Sequence, residues 1–150
     1  MNSMSVEDKY REVWRLLRIA SRGLIRVRDK ELAPYHISVR HAAMLQGIEV
    51  LGEDATVVGI ARRQHRDPSS VSNIIIRMEK MGLVKRLIAP NNRRQIHVVM
   101  TRKGEELHQI SNKQEAIKRV LSDLSEEQCD QLINTMEGLR SSIRREMDGR

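Results

Sequence analysis

Aromatic residues and cysteine are nearly absent from this chain of 150 residues. There is no Phe, and the aromatic residues are Tyr10, Trp14 and Tyr35. A core must therefore be built from aliphatic side chains and the eight Met, a composition that suits helices packed on helices. The single cysteine, Cys129, excludes an internal disulfide, so we expect a reducing compartment, the cytoplasm.

Long hydrophobic runs and loop-forming residues are equally scarce. The apolar runs are only a few residues long, against the roughly 20 that a membrane-spanning helix needs, so we expect no membrane partner. The polar, acidic N-terminus predicts no signal peptide. Three Pro and eight Gly argue against a disordered chain. The length and a hydrophobic fraction of 39% predict a single domain over residues 1–150.

Positive charge is concentrated in the middle of the sequence. The formal net charge is +7, and residues 62–103 contain eleven Lys and Arg against two acids, Asp67 and Glu79. Residues 1–61 carry a net charge of +1 and residues 104–150 a net charge of −3. A basic centre within a neutral to acidic frame is typical of a module that binds a polyanion. A solvated charged face is the alternative interpretation.

Helix signals precede the basic stretch and continue into it. Apolar residues recur at helical spacing from Val6 to Val27, and Pro34 ends that helix. Further helices are predicted over residues 39–51, 57–65 and 68–81, the first of these three closed by Gly52. Capping side chains are predicted at Ser5, Ser38, Thr56 and Asp67.

The periodicity then changes to that of strands. Residues 83–88 and 95–100 are rich in β-branched side chains and flank the polar segment 89–94, which predicts one β-hairpin with a basic tip. The helical period returns after Thr101 and continues to Leu121 on one apolar side. A capping box at residues 125–128 starts a last helix, whose apolar stripe over residues 129–147 is close to a heptad seam.

Two helices followed by a hairpin form a winged helix-turn-helix. The resulting fold class is mainly α with a small β-hairpin wing. In the helix 68–81, Val71, Ile74, Ile75 and Met78 point inward. Small hydroxyls, an amide and cations remain outside and suit a helix in a major groove. The predicted DNA-binding residues are Arg63, Ser69, Ser70, Ser72, Asn73, Ile76, Arg77, Lys80, Lys85, Asn92, Arg93 and Arg94.

Four ordered segments resemble the MarR family of winged-helix transcriptional regulators. They are Val57–Ala61, Pro68–Asn73, Met78–Val84 and Asn92–Arg94, the last leading to Val99–Gly104. The resemblance implies a homodimer in which helices within residues 5–33 and 104–148 interlock around a DNA-binding part at residues 38–103. It implies a pseudo-palindromic operator, with the two winged helices about one DNA turn apart. It also implies a small aromatic or phenolic effector bound between the dimer helices and the winged helix.

The wing departs from the family pattern at one position. The family usually has Asp-x-Arg there, and this chain has Asn92 in the Asp position and Arg94 in the Arg position. An amide oxygen can accept a guanidinium hydrogen bond but contributes no charge. We therefore expect Arg94 to remain a minor-groove contact that is less tightly held, with Arg93 and Lys85 nearer to phosphates.

Other functions find little support in the sequence. The five His have no metal-like spacing, and no nucleophile–base pair or phosphate loop is present, so we expect no metal, no cofactor and no enzymatic activity. Two classes remain. The first is a ligand-responsive regulator of transcription, most simply a repressor. The second is an architectural or protein-interaction winged-helix protein without ligand-controlled regulation. The outward Ser and Asn side chains favour the first.

Overall fold

Seven helices and one hairpin make up the described part of the chain, residues 4–89 and 92–149, in a computed structural model. The predicted fold class, mainly α with a β-hairpin, is confirmed. The helices are α1 Val6–Leu32, α2 Val39–Leu51, α3 Val57–Arg63, α4 Pro68–Lys80, α5 Arg102–Asn112, α6 Glu115–Leu121 and α7 Glu126–Met147. The strands are β1 Val84–Ala89 and β2 Asn92–Met100, and short 3₁₀ turns occupy Ala33–Tyr35 and Gly52–Asp54.

Hydroxyl and carboxylate caps determine where the helices begin. The side chains of Ser5, Ser38, Thr56, Asp67 and Ser125 each accept a backbone N–H from the first turn that follows, as predicted. These bonds satisfy donors that an α-helix leaves unpaired at its start. Helix α3 is shorter than predicted, because it ends at Arg63 and His65 adopts a left-handed conformation with φ 51°.

The chain divides into two compact units, Met1–Gln114 and Glu115–Arg150. The first holds the α1–α5 helices, the hairpin and an aliphatic core. The residues with less than 2% exposure in that core are Leu32, Met44, Leu45, Ala55, Ile60, Ala61, Val71, Ile75, Met78, Leu83, Val84 and Val98. The single domain over residues 1–150, predicted from the length and composition of the chain, stays a prediction.

The hairpin differs from the sequence prediction at its tip. Residues 92–94 were assigned to the turn, whereas β2 begins at Asn92. The register shifts between Ile88, which pairs with Ile96, and Ala89, which pairs with Asn92 rather than with Gln95. Beyond this irregularity, a polar segment with turn composition is part of the strand. Pro90 and Asn91 of the predicted turn lie outside the described residues.

The predicted continuous helix after Thr101 is wrong, because the chain breaks between α5 and α6. Helix α5 ends at Asn112 and Gln114 adopts a left-handed conformation with φ 50°. The last two residues of α5 are Ser111 and Asn112, and Ser and Asn side chains compete with helical backbone bonds. The Ser111 hydroxyl donates to the His108 carbonyl at 3.0 Å, consistent with that competition.

The start of α5 packs against the turn that follows α4. Gly104 is buried, and a Cβ built there would lie 2.0 Å from the Leu83 carbonyl oxygen. The same carbonyl accepts the Thr101 backbone N–H at 3.0 Å. The Thr101 hydroxyl donates to the Gly82 carbonyl at 2.5 Å, and the Lys103 ammonium donates to the Met81 carbonyl at 3.0 Å. These bonds join the C-terminal end of α4 to the first turn of α5.

The second unit consists of α6 and α7 and carries an exposed apolar stripe. None of the 22 residues of α7 is buried. Six apolar side chains of this helix are between 36% and 61% exposed: Leu132, Ile133, Met136, Leu139, Ile143 and Met147. Cys129, near the start of this stripe, is half-buried. Among the described residues, none of the helices is long and apolar enough to cross a membrane.

Candidate nucleic-acid interface

Helix α4 is held so that one polar face stays outward. Asp67 accepts the Ser70 backbone N–H at 3.2 Å and the Ser69 hydroxyl. These hydrogen bonds lower the pKa of the Asp67 carboxyl below its ordinary value, so it remains ionised at the positive end of the helix dipole. On the opposite face, Val71 and Ile75 are fully buried. The inward face was predicted correctly, with Ile74 packed at its edge.

The predicted DNA-binding residues occupy mostly exposed positions. The exposed ones are Arg63, Ser69, Ser70, Asn73, Arg77, Lys80, Lys85, Asn92 and Arg94. Ser72 and Ile76 are half-buried. The Arg93 side chain lies outside the described part of the structure. The Ser69 hydroxyl donates to the Asp67 cap. Ser72 is therefore a better candidate than Ser69 for a hydroxyl that contacts DNA.

A groove of about 530 Å³ separates the N-terminal half of α4 from the wing. It brings four predicted residues together, Ser69 and Ser72 on α4 with Asn92 and Arg94 on β2. The predicted residues Arg63, Asn73, Ile76, Arg77, Lys80 and Lys85 do not line it. The groove is also lined by residues that sequence reasoning did not assign to the site: Thr56, Val57, Val58, Pro68, Gln95 and Ile96.

The base of the wing is fixed to the segment that precedes α3. Thr56 forms an antiparallel bridge with His97, and the Val98 backbone N–H donates to the Ala55 carbonyl at 2.8 Å. The His97 imidazole Nδ1 donates to the Glu53 carbonyl at 3.0 Å. This contact brings the start of α3 beside the wing, which explains how Thr56 and its neighbours enter the groove. The local sequence around Thr56 predicts only a helix cap.

Asn92 has a different bonding partner from the one expected. Its side-chain oxygen accepts the backbone N–H of Arg94 at 3.1 Å. The expectation was that this oxygen could accept the Arg94 guanidinium. The short span from Asn92 to Arg94 favours a local bond of side chain to backbone, a common arrangement for Asn. Among the residues that the structure describes, the Arg94 guanidinium makes no ion pair or hydrogen bond.

Both acids of the basic stretch are bonded within the protein. Asp67 caps α4, and Glu79 pairs with Arg86, which lowers the pKa of the Glu79 carboxyl through hydrogen bonds from the Arg86 side chain and backbone. Seven cations of the stretch make no ion pair or side-chain hydrogen bond with any described residue: Arg62, Arg63, Arg66, Arg77, Lys80, Lys85 and Arg94. A surface with free cations and occupied carboxylates attracts polyanions.

The described residues include no group of three or more His, Cys, Asp or Glu that could hold a metal ion. The arrangement around α4 supplies hydrogen-bonding side chains and cations at an open groove. Such groups can bind base edges and phosphates.

Comparison with known proteins shows which family and which solved structures this chain resembles. Residues 37–96 match the model of the MarR family, and solved MarR-family regulators match most of the fold. Over residues 37–96 the chain is therefore similar to the MarR family, and its fold is that of the solved regulators. The matched segment runs from the loop before α2 to the middle of β2, so it includes α4 and the strand residues of the groove. At the sequence level, no curated protein matches the chain.

Three solved structures with similar folds are between 18% and 23% identical to the chain in sequence. MepR from S. aureus, in complex with DNA, has a TM-score of 0.75 at 23% identity, covering 85% of this chain and 94% of MepR. A mutant MarR from E. coli, in complex with operator DNA, has a TM-score of 0.81 at 18% identity, covering 91% and 99%. The organohalide-sensing regulator RdhR, bound to 2,4-dichlorophenol, has a TM-score of 0.82 at 21% identity, covering 95% and 87%.

Proposed function

We propose that this chain is a sequence-specific regulator of transcription that binds double-stranded DNA as a homodimer. The observation that carries the proposal is the groove between α4 and the wing. It combines hydroxyl, amide and guanidinium groups in a stretch whose two acids are bonded internally. Helix α4 would lie in a major groove, with Asn73 and Arg77 on base edges. Arg94 would enter the minor groove and Lys85 would contact phosphate.

The exposed apolar side chains of two helices support the homodimer. On α1, Val6, Tyr10, Val13 and Trp14 are more than half exposed, and α7 carries the stripe described above. Exposed apolar surface of this extent is typical of an interaction site rather than of a monomer. Two-fold symmetry would set two copies of α4 about 34 Å apart, the spacing of an operator with two half-sites.

A cavity between α1, α2 and α5 is a candidate effector site. It has a volume of about 320 Å³ and small side chains in its walls, Ala42 and Ala43. At its edge the Arg28 guanidinium donates to the Ser111 carbonyl at 2.8 Å and pairs with Glu31. Val39 and the two alanines form an apolar part of the lining, and Arg28, Gln46, Ser111, Asn112 and Gln114 form a polar part. This combination suits a small aromatic or phenolic acid, and RdhR is a structural neighbour bound to a dichlorophenol. We propose a repressor that such a ligand releases from DNA.

Selection from a pool of random duplexes tests the DNA-binding proposal. Sequence-specific binding should enrich an inverted repeat whose half-sites are centred about one helical turn apart. Tight binding without enrichment would favour the architectural alternative and would contradict the proposal.

A panel of phenols and aromatic acids then tests the effector on the selected duplex. A ligand that uses the cavity should release the wild-type protein from DNA. It should not release the variant Ala43→Phe, whose larger side chain fills the cavity. Release of both proteins alike would place the effector elsewhere.

A further inference from the structure

An acidic residue on a helix that faces DNA is electrostatically unfavourable unless it has another role. Glu79 lies in the last turn of α4, and its carboxylate receives three hydrogen bonds from Arg86 on β1. The Arg86 backbone N–H donates to Oε2 at 2.9 Å. The Arg86 Nε and Nη2 groups donate to Oε1 at 3.1 and 2.9 Å. One carboxylate therefore binds both the backbone of the strand and the head of its arginine.

Arg86 lies between the buried base of the hairpin and its exposed tip. Below it, Val84 is buried in the core with 1% exposure. Above it, Leu87 and Ile88 are 49% and 67% exposed, so no core packing holds the tip that carries Asn92 and Arg94. The N–H of Arg86 points away from β2, because it donates to Glu79 on the outer edge of the two-stranded sheet. The pair is the outermost described bond between the wing and α4.

We propose that Glu79 and Arg86 form a positioning pair that sets the angle of the wing relative to the recognition helix, and that Arg86 does not contact phosphate. This inference rests on the proposed DNA-binding function. Without the pair, the tip would have to be ordered on binding, which costs conformational entropy while leaving the wing contacts available.

Removal of Glu79 should weaken DNA binding if it positions the wing, whereas charge repulsion alone predicts stronger binding. Removal of a negative charge beside a polyanion should strengthen binding if Glu79 only repels phosphate. If Glu79 positions the wing, Glu79→Ala should weaken binding to the selected duplex by about tenfold, equivalent to ~1.4 kcal/mol. Arg86→Ala should weaken it to a similar extent. The double variant should bind no worse than either single variant, because the two residues act as a unit.

Salt dependence separates a positioning residue from a phosphate contact. Each phosphate contact contributes about 0.9 to the slope of log affinity against log salt. Glu79→Ala and Arg86→Ala should leave the slope unchanged, whereas Lys85→Ala, one position earlier on the same strand, should reduce it by about one. Glu53→Gln is the matched control, since the Glu53 side chain is exposed and forms no ion pair or hydrogen bond with any described residue. Binding by that variant should be unchanged or slightly tighter.

Three outcomes on DNA would overturn the proposal. They are Glu79→Ala binding as tightly as wild type, an additive loss in the double variant, and a reduced salt slope for Arg86→Ala. Thermal unfolding by circular dichroism checks that each variant is folded.

Hydrogen exchange in the free protein provides a test that needs no DNA. The Arg86 amide should exchange at least tenfold faster in Glu79→Ala than in wild type, while the amide of Val98 keeps its protection through its bond to Ala55. Equal exchange of the Arg86 amide in both proteins would overturn the proposed positioning role of the pair. Failure of the wild type to bind any duplex would count against the proposed function alone.

Discussion

Gly104 offers a sharp test of how α5 is joined to the DNA-binding helices. In Gly104→Ala, the new methyl carbon would begin 2.0 Å from the Leu83 carbonyl oxygen, and ordinary contacts start near 3.4 Å. The two backbones would have to separate by about 1.4 Å, the difference between those distances. Neither partner can escape by a change of rotamer, because the clash involves a Cβ and a backbone atom. The Leu83 carbonyl also holds the Thr101 N–H, so the movement would strain that bond.

The magnitude follows from two opposing effects. Overpacking of a buried site costs about 1–3 kcal/mol, and replacement of Gly by Ala within a helix returns about 0.5–1 kcal/mol. We expect Gly104→Ala to reduce the free energy of unfolding by ~2 kcal/mol. This value is near the upper end of the difference between the two effects, because the backbone must move. For a chain of this size, that lowers Tm by about 4–8 °C.

The matched control is Gly138→Ala in α7, where a Cβ would meet no atom within 4 Å. This variant should gain about 0.5–1 kcal/mol from helix propensity alone. Urea unfolding at equal protein concentration compares the two variants with wild type. A Gly104→Ala protein as stable as wild type would refute the close contact between α5 and the α4–β1 turn.

Three further predictions concern DNA, assembly and pH. If the dimer makes about 6–10 phosphate contacts, affinity for DNA should fall by roughly 10³–10⁵ between 50 and 200 mM salt, and a flat titration would contradict DNA binding. Met136→Asp should convert the dimer to monomer and abolish binding to the inverted repeat, whereas a stable wild-type monomer by sedimentation at micromolar concentration would argue against the dimer. Burial lowers the pKa of His41 below its ordinary value of 6.5, so the folded chain takes up a proton less readily than the unfolded chain. Stability should therefore be lost as pH falls through about 6.5, less so in His41→Gln; an equal loss in that variant would exclude this role.

The pH prediction has a structural basis at the start of α2. The His41 Nδ1 atom accepts the Ser38 backbone N–H at 3.1 Å, and a protonated Nδ1 could not accept it. The Asp29 carboxylate nearby raises the pKa of His41 and so opposes the effect of burial. Desolvation is the larger of the two influences, which fixes the direction of the pH dependence.

The sequence predicts the helices well because their boundaries are encoded locally. Asp67 followed by Pro68, and Ser125 with Gln128 three residues later, specify helix starts through bonds within one turn. The buried face of α4 was also predictable, since Val71, Ile75 and Met78 recur at helical spacing. Local signals of this kind do not depend on which other elements pack nearby.

Contacts between distant segments were not predictable in the same way. The bridge from Thr56 to His97 joins residues 41 positions apart, and neither residue carries a signal for its partner. The close approach of Gly104 to Leu83 likewise has no local sequence signal. The start of β2 was misassigned because Asn92–Arg94 has the composition of a turn, whereas in the structure Asn92 pairs with Ala89 across a shift of register. The sequence therefore predicts which residue types bind DNA, but it does not predict which of these residues lie together in the groove.

The central claim is that α4 reads base edges while the wing strand holds the phosphate backbone. The measurement that tests it most directly compares Asn73→Ala with Lys85→Ala on the selected inverted repeat and on random duplex of the same length. Asn73→Ala should weaken binding to the repeat by about 1–3 kcal/mol and leave random DNA unaffected, whereas Lys85→Ala should weaken binding to both about equally. Equal loss on both duplexes for Asn73→Ala would contradict base reading by α4.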